Sequence, residues 1–340
     1  MIFIRTLLLL FGLQFFVITS INPSTFDYKL IFEGGIYRAP SSISNNRTFA
    51  LTRFDGTSKY SSATRQYYWS VSARLRPELY LAESTAGLSR INFNGQYLRR
   101  YTNFNWGFIT DYERYQLNLN QLDFVLDTFQ FGAQGFWAYR AGTALIFHLD
   151  YILRNIENRL QNNLDDFRFI LRWQRSISAF DKISLGIHLE NFYLSTRQNL
   201  SAGSSSNHGI RVGPEITVEH KKKMVLSGTY RFLIHDSQLV QEFSHEHRVR
   251  LLFGKLLSDN WSIFFLTDYY FREISLSEDI DTRLVFAPLS TENSIYVKVE
   301  KEIRHNNELF FKIGYFNDNV ILDDRSFSGW QGTVGIEVRK

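Results

Sequence analysis

A regular alternation of apolar and polar side chains recurs through most of the chain and limits the folds that it can adopt. Its clearest example is the segment from Phe167 to Ile177, in which every second residue is apolar or aromatic and the residues between them include Arg168 and Arg172. Successive side chains of a β-strand point to opposite faces, so this segment has an aromatic face and an arginine-bearing face. The same pattern resumes over Ile183–Leu189 after a short turn-like stretch. The two segments together predict a β-hairpin.

Segments of this kind, each roughly ten residues long, are typical of a transmembrane β-barrel with a water-filled interior. We therefore predict an all-β fold, a closed antiparallel transmembrane barrel, with the apolar faces toward lipid and the charged faces toward the lumen. Such barrels have even strand numbers, and the segments predict about 16 strands, with 14 as the alternative. The clearest segments begin near Tyr28, Tyr67, Ile91, Leu145, Phe167, Ile183, Ile210, Met224, Val249, Trp261, Ile295, Leu309 and Trp330.

Composition fits this interpretation. Aromatic residues make up 16% of the chain, with 31 Phe and 18 Tyr, while charged residues reach 21%. A barrel can point such an aromatic load at lipid and at the two membrane interfaces. The net charge of +4 is small and its charges are interleaved, so the sequence gives no indication of nucleic-acid binding. Cysteine is absent, which excludes disulfides, thiolate metal sites and a lipoprotein-type acceptor cysteine.

Connection lengths predict an orientation. Short connections alternate along the second half of the chain with longer ones, and outer-membrane barrels have short periplasmic turns and longer external loops. The short connections are Ser178–Lys182, His220–Lys223, Leu256–Asn260 and Arg304–Asn307, and the longer ones are Ser195–Asn207, Asp236–Phe243, Glu273–Glu292 and Asn317–Ser326.

Three stretches depart from the simple pattern. Ala39–Ser62 is rich in Pro, Ser, Asn and Gly, and we interpret it as a surface loop with a weak strand near Thr48–Phe54. Phe104–Tyr139 is compatible with two long strands or three short ones. Pro214 interrupts a good strand, and since proline cannot donate a ladder hydrogen bond, we expect a bulge there.

The first twenty residues differ from the rest of the chain. Met1–Ser20 contains a basic Arg5, an apolar run and small residues at its end, which predicts a secretory signal peptide. Residues 21–340 show no compositional boundary, and we treat them as a single barrel domain.

On these residues the chain resembles bacterial outer-membrane β-barrel proteins as a class, of the porin-like kind, through its pattern and length. The resemblance implies export to a Gram-negative outer membrane, contact with outer-membrane lipid, and insertion by the barrel-assembly machinery. It leaves the oligomeric state open.

The most informative polar residues are charges that share the lumen-facing parity on clear strands. Arginines on one side of a constriction attract anions, and facing acids create a transverse field; the alternative is that these charges pair across strands to hold a filled interior together. We predict that they form a charged inner wall. The wall consists of Arg168, Arg172, Arg211, Arg231, Arg248, Arg250, Glu190, Glu215 and Asp268.

The sequence offers no better candidate chemistry. His235, His245 and His247 could bind a metal such as zinc or copper, but by parity His235 faces inward and the other two face outward. No nucleophile with a matched base, phosphate-binding loop or zinc-protease motif is present. We therefore expect no catalytic residue, no cofactor and no metal.

The resulting functional hypothesis is an outer-membrane channel or porin-like transporter for small polar or anionic solutes, rather than an enzyme. Two alternatives remain. The first is a structural barrel that anchors an envelope or surface complex, and the second is a barrel enzyme acting on lipid or polysaccharide.

Overall fold

The computed structural model describes residues 24–38, 48–81, 86–119, 122–157, 161–197, 205–237, 244–273, 292–304, 306–318 and 327–340. The signal peptide predicted over Met1–Ser20 and residues 39–47 of the predicted loop lie outside these ranges.

Sixteen antiparallel strands form one closed barrel, in which each strand pairs with its neighbours in sequence and β16 pairs with β1. This confirms the predicted all-β barrel of about 16 strands. Closure pairs every strand on both sides, so no sheet edge is exposed to lipid. The strands are β1 (Ser24–Arg38), β2 (Thr48–Ala63), β3 (Tyr67–Leu81), β4 (Ala86–Arg100), β5 (Phe104–Leu119), β6 (Leu122–Arg140), β7 (Thr143–Glu157), β8 (Gln161–Ser176), β9 (Asp181–Arg197), β10 (Ser205–Lys221), β11 (Met224–Ser237), β12 (Ser244–Ser258), β13 (Trp261–Glu273), β14 (Glu292–Arg304), β15 (Asn307–Asp318) and β16 (Phe327–Arg339).

Strand β2 confirms the weak strand predicted near Thr48–Phe54 and shows that the interpretation as a surface loop was wrong over Asp55–Ser62. Thr48–Ala63 pairs with β1 along its length and with β3 on its other side. Its outward residues include Phe54 and Tyr60 but also Thr52, Gly56 and Ser58, so the apolar face that marks the other strands is interrupted here. Pairing with two strongly patterned neighbours decides the structure of this segment instead.

Two further stretches are now defined. Phe104–Tyr139 forms the two long strands β5 and β6. The predicted bulge at Pro214 was wrong, because the register of β10 with β9 and with β11 is the same before and after this residue. Because proline has no backbone N–H, the hydrogen-bonded pairing with β11 is interrupted at Pro214, but no extra residue is inserted into the strand.

The outer face of the barrel is apolar. Phe131, Ile187 and Val334 each expose half or more of their surface, and Leu226 and Phe265 likewise face outward rather than into a shared core. In water such a surface would be strongly unfavourable, whereas in hydrocarbon it is the expected lining of a barrel. Among the described residues, no helix is long and apolar enough to span a membrane.

One end of the barrel, here called the turn end, carries the short connections together with the start of β1 and the end of β16; the other is the loop end. Tryptophans mark the turn end on the outer face. Aromatic girdles of this kind lie at membrane–water interfaces, so the turn end lies at one interface. The tryptophans within a few residues of the short turns are Trp69, Trp106, Trp137, Trp173 and Trp261.

Candidate functional site: the charged lumen

All nine residues predicted for the inner wall lie on the lumen face of a continuous arc of six strands. Each of these residues is paired in register with a lumen-facing residue of the neighbouring strand, so its side chain points to the same side of the sheet. The structure therefore brings together charges that are up to 100 residues apart in the chain. The arc carries Arg168 and Arg172 on β8, Glu190 on β9, Arg211 and Glu215 on β10, Arg231 on β11, Arg248 and Arg250 on β12, and Asp268 on β13.

The Arg172–Glu215 pair spans three strands. Arg172 Nε donates to Glu215 Oε1 over 2.6 Å, although β9 runs between their strands. The residue between them in register is Gly186. A Cβ at this position would lie 2.9 Å from Arg172 Cγ and 3.2 Å from a backbone oxygen. The glycine thus provides the space through which the two side chains meet.

A second contact shares one carboxylate between two arginines. Arg248 donates from Nε and Nη2 to the two oxygens of Asp268 over 3.0 and 2.8 Å, and Arg250 Nε donates to the same carboxylate over 3.0 Å. Two guanidinium groups facing one carboxylate leave this part of the wall with an excess of positive charge.

Arg211 lies deepest in the wall and faces several acids. Its guanidinium pairs directly with Glu190 and lies 3.8 Å from Asp166 and 3.7 Å from Glu246. Tyr270 donates a hydrogen bond to Glu246. Because Arg211 is only 6% exposed, it needs these partners to offset the free energy of removing its charge from water.

Arg231 differs from the other wall arginines. It donates to His188 Nδ1 over 3.3 Å, and His188 Nε2 lies 2.5 Å from Glu190. Directly opposite on β12 is Arg248. Two cations thus face each other across one strand pair, which raises the positive potential locally.

A second ion-pair network, on the opposite side of the barrel, was not predicted from the sequence. Arg53 donates to Glu33 over 3.0 Å and to Glu78 over 2.8 Å. Lys312 reaches Glu33 at 3.0 Å, and Arg76 Nε lies 2.8 Å from Glu78. The alternation does place Glu33 and Lys312 on the polar faces of their strands, but Arg53 lies on β2, where the sequence predicts only a weak strand.

Two cavities lie between this arc and the neighbouring strands β5, β6 and β7, one nearer the loop end and one nearer the turn end. The loop-side chamber, of about 210 Å³, is lined by Arg154, Arg168, Arg211, Arg231 and Arg248 and by Asp111, Glu113, Asp166, Glu190 and Glu246, together with several apolar side chains. The turn-side chamber, of about 290 Å³, is lined by five arginines but only two carboxylates. Its charged lining consists of Arg168, Arg172, Arg231, Arg248, Arg250, Asp150 and Glu215.

The histidines occupy the faces that parity predicted. His235 is fully buried on the inner side, whereas His245 and His247 contact the ring of Phe232 on the outer side. They do not converge on a metal site.

Three carboxylates, those of Glu300, Glu308 and Glu337, do converge near the turn end within the described residues. Three cations share this cluster, since Lys298 pairs with Glu300, and Lys29 and Arg339 pair with Glu337. The carboxylates are thus already neutralised by side chains.

Comparisons with known proteins show similarity in fold only. No protein-family model matches the sequence, and no curated protein matches it. Among solved structures, the chain is similar to an iron transporter, FrpB from Neisseria meningitidis (TM-score 0.49, 7% identity, covering 95% of this chain and 82% of that one). It is also similar to a mutant of the TodX monoaromatic hydrocarbon channel (TM-score 0.45, 9% identity, 95% and 91%) and to the siderophore receptor PirA from Pseudomonas aeruginosa (TM-score 0.40, 8% identity, 94% and 81%).

Proposed function

We propose that this barrel is an outer-membrane channel for small polar solutes, with a preference for anions, and that it performs no catalysis. The observation that carries the proposal is the lining of the turn-side chamber, where five arginines face two carboxylates. Rings of arginine or lysine favour anions in membrane pores.

The architecture supports this proposal. A 16-stranded barrel is wide enough to leave an aqueous channel, and the turn-side and loop-side chambers share Arg168, Arg231, Arg248 and Gln130. We propose that a solute passes from one chamber to the other along these three guanidinium groups. We propose that the apolar exterior contacts outer-membrane lipid and that the barrel-assembly machinery inserts the chain.

Conductance across a planar lipid bilayer tests the proposal. We expect a steady current that rises with salt concentration, and a reversal potential in a potassium chloride gradient that reports chloride preference. In the double variant Arg248→Glu, Arg250→Glu, four carboxylates would face three arginines in the turn-side chamber, so the preference should shift to potassium. The double variant Arg99→Glu, Arg175→Glu is the matched control, because it makes the same change of charge on the outer face near the turn end.

Two results would contradict the proposal. Absence of current from correctly folded barrels would contradict the channel function. An unchanged reversal potential in the Arg248→Glu, Arg250→Glu double variant would show that the arginine wall does not cause the selectivity.

A structural barrel that anchors an envelope complex is the second candidate. It is favoured by the side chains that close in on the lumen at the loop end, since Leu51, Tyr115 and Phe192 are each only 1% exposed. A folded barrel without conductance, whose interior variants lose stability but no transport, would support this reading.

A further inference from the structure

Glu113 on β5 and Arg154 on β7 both line the loop-side chamber, yet they differ from the other charges there. Within the part of the chain that the structure describes, neither side chain forms an ion pair or a side-chain hydrogen bond, whereas Asp111 accepts from Asn92 and Arg231 donates to His188. Arg154 lies within the electrostatic influence of Asp166 and Glu190, and Glu113 within that of Arg74, but none of these groups is in direct contact with them. Two opposite charges therefore face the same cavity without a direct protein partner.

The strand register explains why these two charges do not meet. Glu113 is paired in register with Thr128 on β6, and Thr128 is paired with Arg154 on β7. The two residues are thus two strands apart, about 9–10 Å between their backbones. Arg172 and Glu215 have the same relationship across β9, but the residue between them is Gly186 and they close to 2.6 Å. The branched side chain of Thr128, which also lines the chamber, occupies the space that Gly186 leaves free.

The same chamber has an apolar side. Tyr115, Leu126, Ile152 and Leu233 line it. Its volume of about 210 Å³ corresponds to about seven water molecules at about 30 Å³ each. A ligand that satisfies this lining is therefore small, carries one cationic and one anionic group, and has an apolar part.

We infer that the loop-side chamber is a binding subsite for small zwitterionic solutes of the amino-acid or dipeptide kind, with the ammonium group at Glu113, the carboxylate at Arg154 and the side chain against the apolar residues. This inference deepens the proposed channel function and rests on it for the route by which the solute arrives. Arginine suits the carboxylate end because its guanidinium can donate two parallel hydrogen bonds.

The test uses the full barrel and three forms of one probe. The probe is the dipeptide glycyl-leucine, compared with its N-acetyl form, which lacks the ammonium group, and with its amide form, which lacks the carboxylate. Titration calorimetry on the detergent-solubilised barrel measures binding directly, and block of the potassium chloride current measures binding during conduction. We expect the dipeptide to bind about tenfold more tightly than either of the other forms, the scale of one charge-assisted hydrogen bond.

Variants separate the two ends of the ligand. Glu113→Gln should weaken the dipeptide and the amide form and leave the acetylated form unchanged, whereas Arg154→Gln should weaken the dipeptide and the acetylated form. The swapped variant Glu113→Arg, Arg154→Glu should still prefer the dipeptide, because a zwitterion can bind in the reverse direction. Arg99→Gln is the matched control, since it removes an arginine on the outer face near the turn end that lines neither chamber.

Equal affinity for the three forms, or equal weakening of all three by Glu113→Gln, would overturn the inference. Conductance without any dipeptide binding would overturn it while leaving the channel in place. Dipeptide binding without conductance would support the binding subsite and contradict the proposed channel function.

Discussion

Glu78 on β3 belongs to the second ion-pair network, with Arg53 and Arg76. It provides the sharpest test of how the charges inside the barrel stabilise the fold. Its side chain is 2% exposed and its carboxylate receives Arg53 Nη2 at 2.8 Å, Arg76 Nε at 2.8 Å and the Tyr80 hydroxyl at 2.9 Å. Glu78→Gln keeps the shape of the side chain and removes its charge. Two guanidinium groups then lose their shared anion, although Arg53 keeps Glu33 on its other side.

The size of the effect follows from burial. Removing one partner of a buried ion pair costs about 3–5 kcal/mol, because the remaining charge is left without compensation away from water. An exposed pair contributes about 0–1 kcal/mol. The Lys221–Glu219 pair near the turn end, with side chains 59% and 31% exposed, is of this second kind. We therefore expect Glu78→Gln to lower the free energy of unfolding by about 3–5 kcal/mol and Glu219→Gln to change it by less than about 1 kcal/mol.

Reversible urea unfolding of the barrel in lipid vesicles measures both values. Tryptophan fluorescence reports the transition, because the tryptophans near the turn end leave the membrane interface on unfolding. A loss below about 1 kcal/mol for Glu78→Gln would refute the reasoning. It would mean that water reaches this part of the wall and solvates the arginines without their partner.

Two smaller predictions concern single positions. Gly186→Val places a side chain against Arg172 and a backbone oxygen, so we expect the free energy of unfolding in urea to fall by about 1–3 kcal/mol. The same change at Gly34, on the lipid face with no atom within 4 Å of the added Cβ, should be tolerated. Equal losses at the two positions would contradict this account. Hydrogen bonding from the Ser178 hydroxyl lowers the pKa of the Asp181 carboxyl in the turn between β8 and β9. The stability that the ionised Asp181 carboxyl gives to this turn is therefore present above the usual carboxyl pKa and is lost as the pH falls through the lowered value. Asp181→Asn should flatten the acid side of the stability–pH curve. An unchanged curve would exclude a contribution of this carboxyl to stability.

The structure places the wall residues on one side of the sheet, in agreement with their alternation, because facing is a local property. Side chains two residues apart share a face in any strand, so the alternation around Arg248 and Asp268 suffices to place both toward the lumen. The same reasoning was less effective at β2. Its outward positions hold both the aromatic Phe54 and Tyr60 and the small residues Thr52, Gly56 and Ser58, so the local pattern predicted only a weak strand over Thr48–Phe54, and the ion pairs of Arg53 were not predicted.

Contacts between the charges could not be predicted in this way. Whether Arg172 reaches Glu215 depends on the register of three strands and on Gly186 between them. Whether Glu113 reaches Arg154 depends on another register and on Thr128. No local pattern fixes either register to the residue, since sliding a strand by two positions preserves its alternation.

The amino-acid sequence by itself thus determined that this chain folds as a barrel with an apolar exterior and an ionic interior, because both follow from a period of two along each strand. Only the tertiary structure decided which charges neutralise each other, where positive charge remains in excess, and which two opposite charges stay apart. Those properties depend on how strands distant in the chain align side by side, and that alignment is set by closure of the whole barrel.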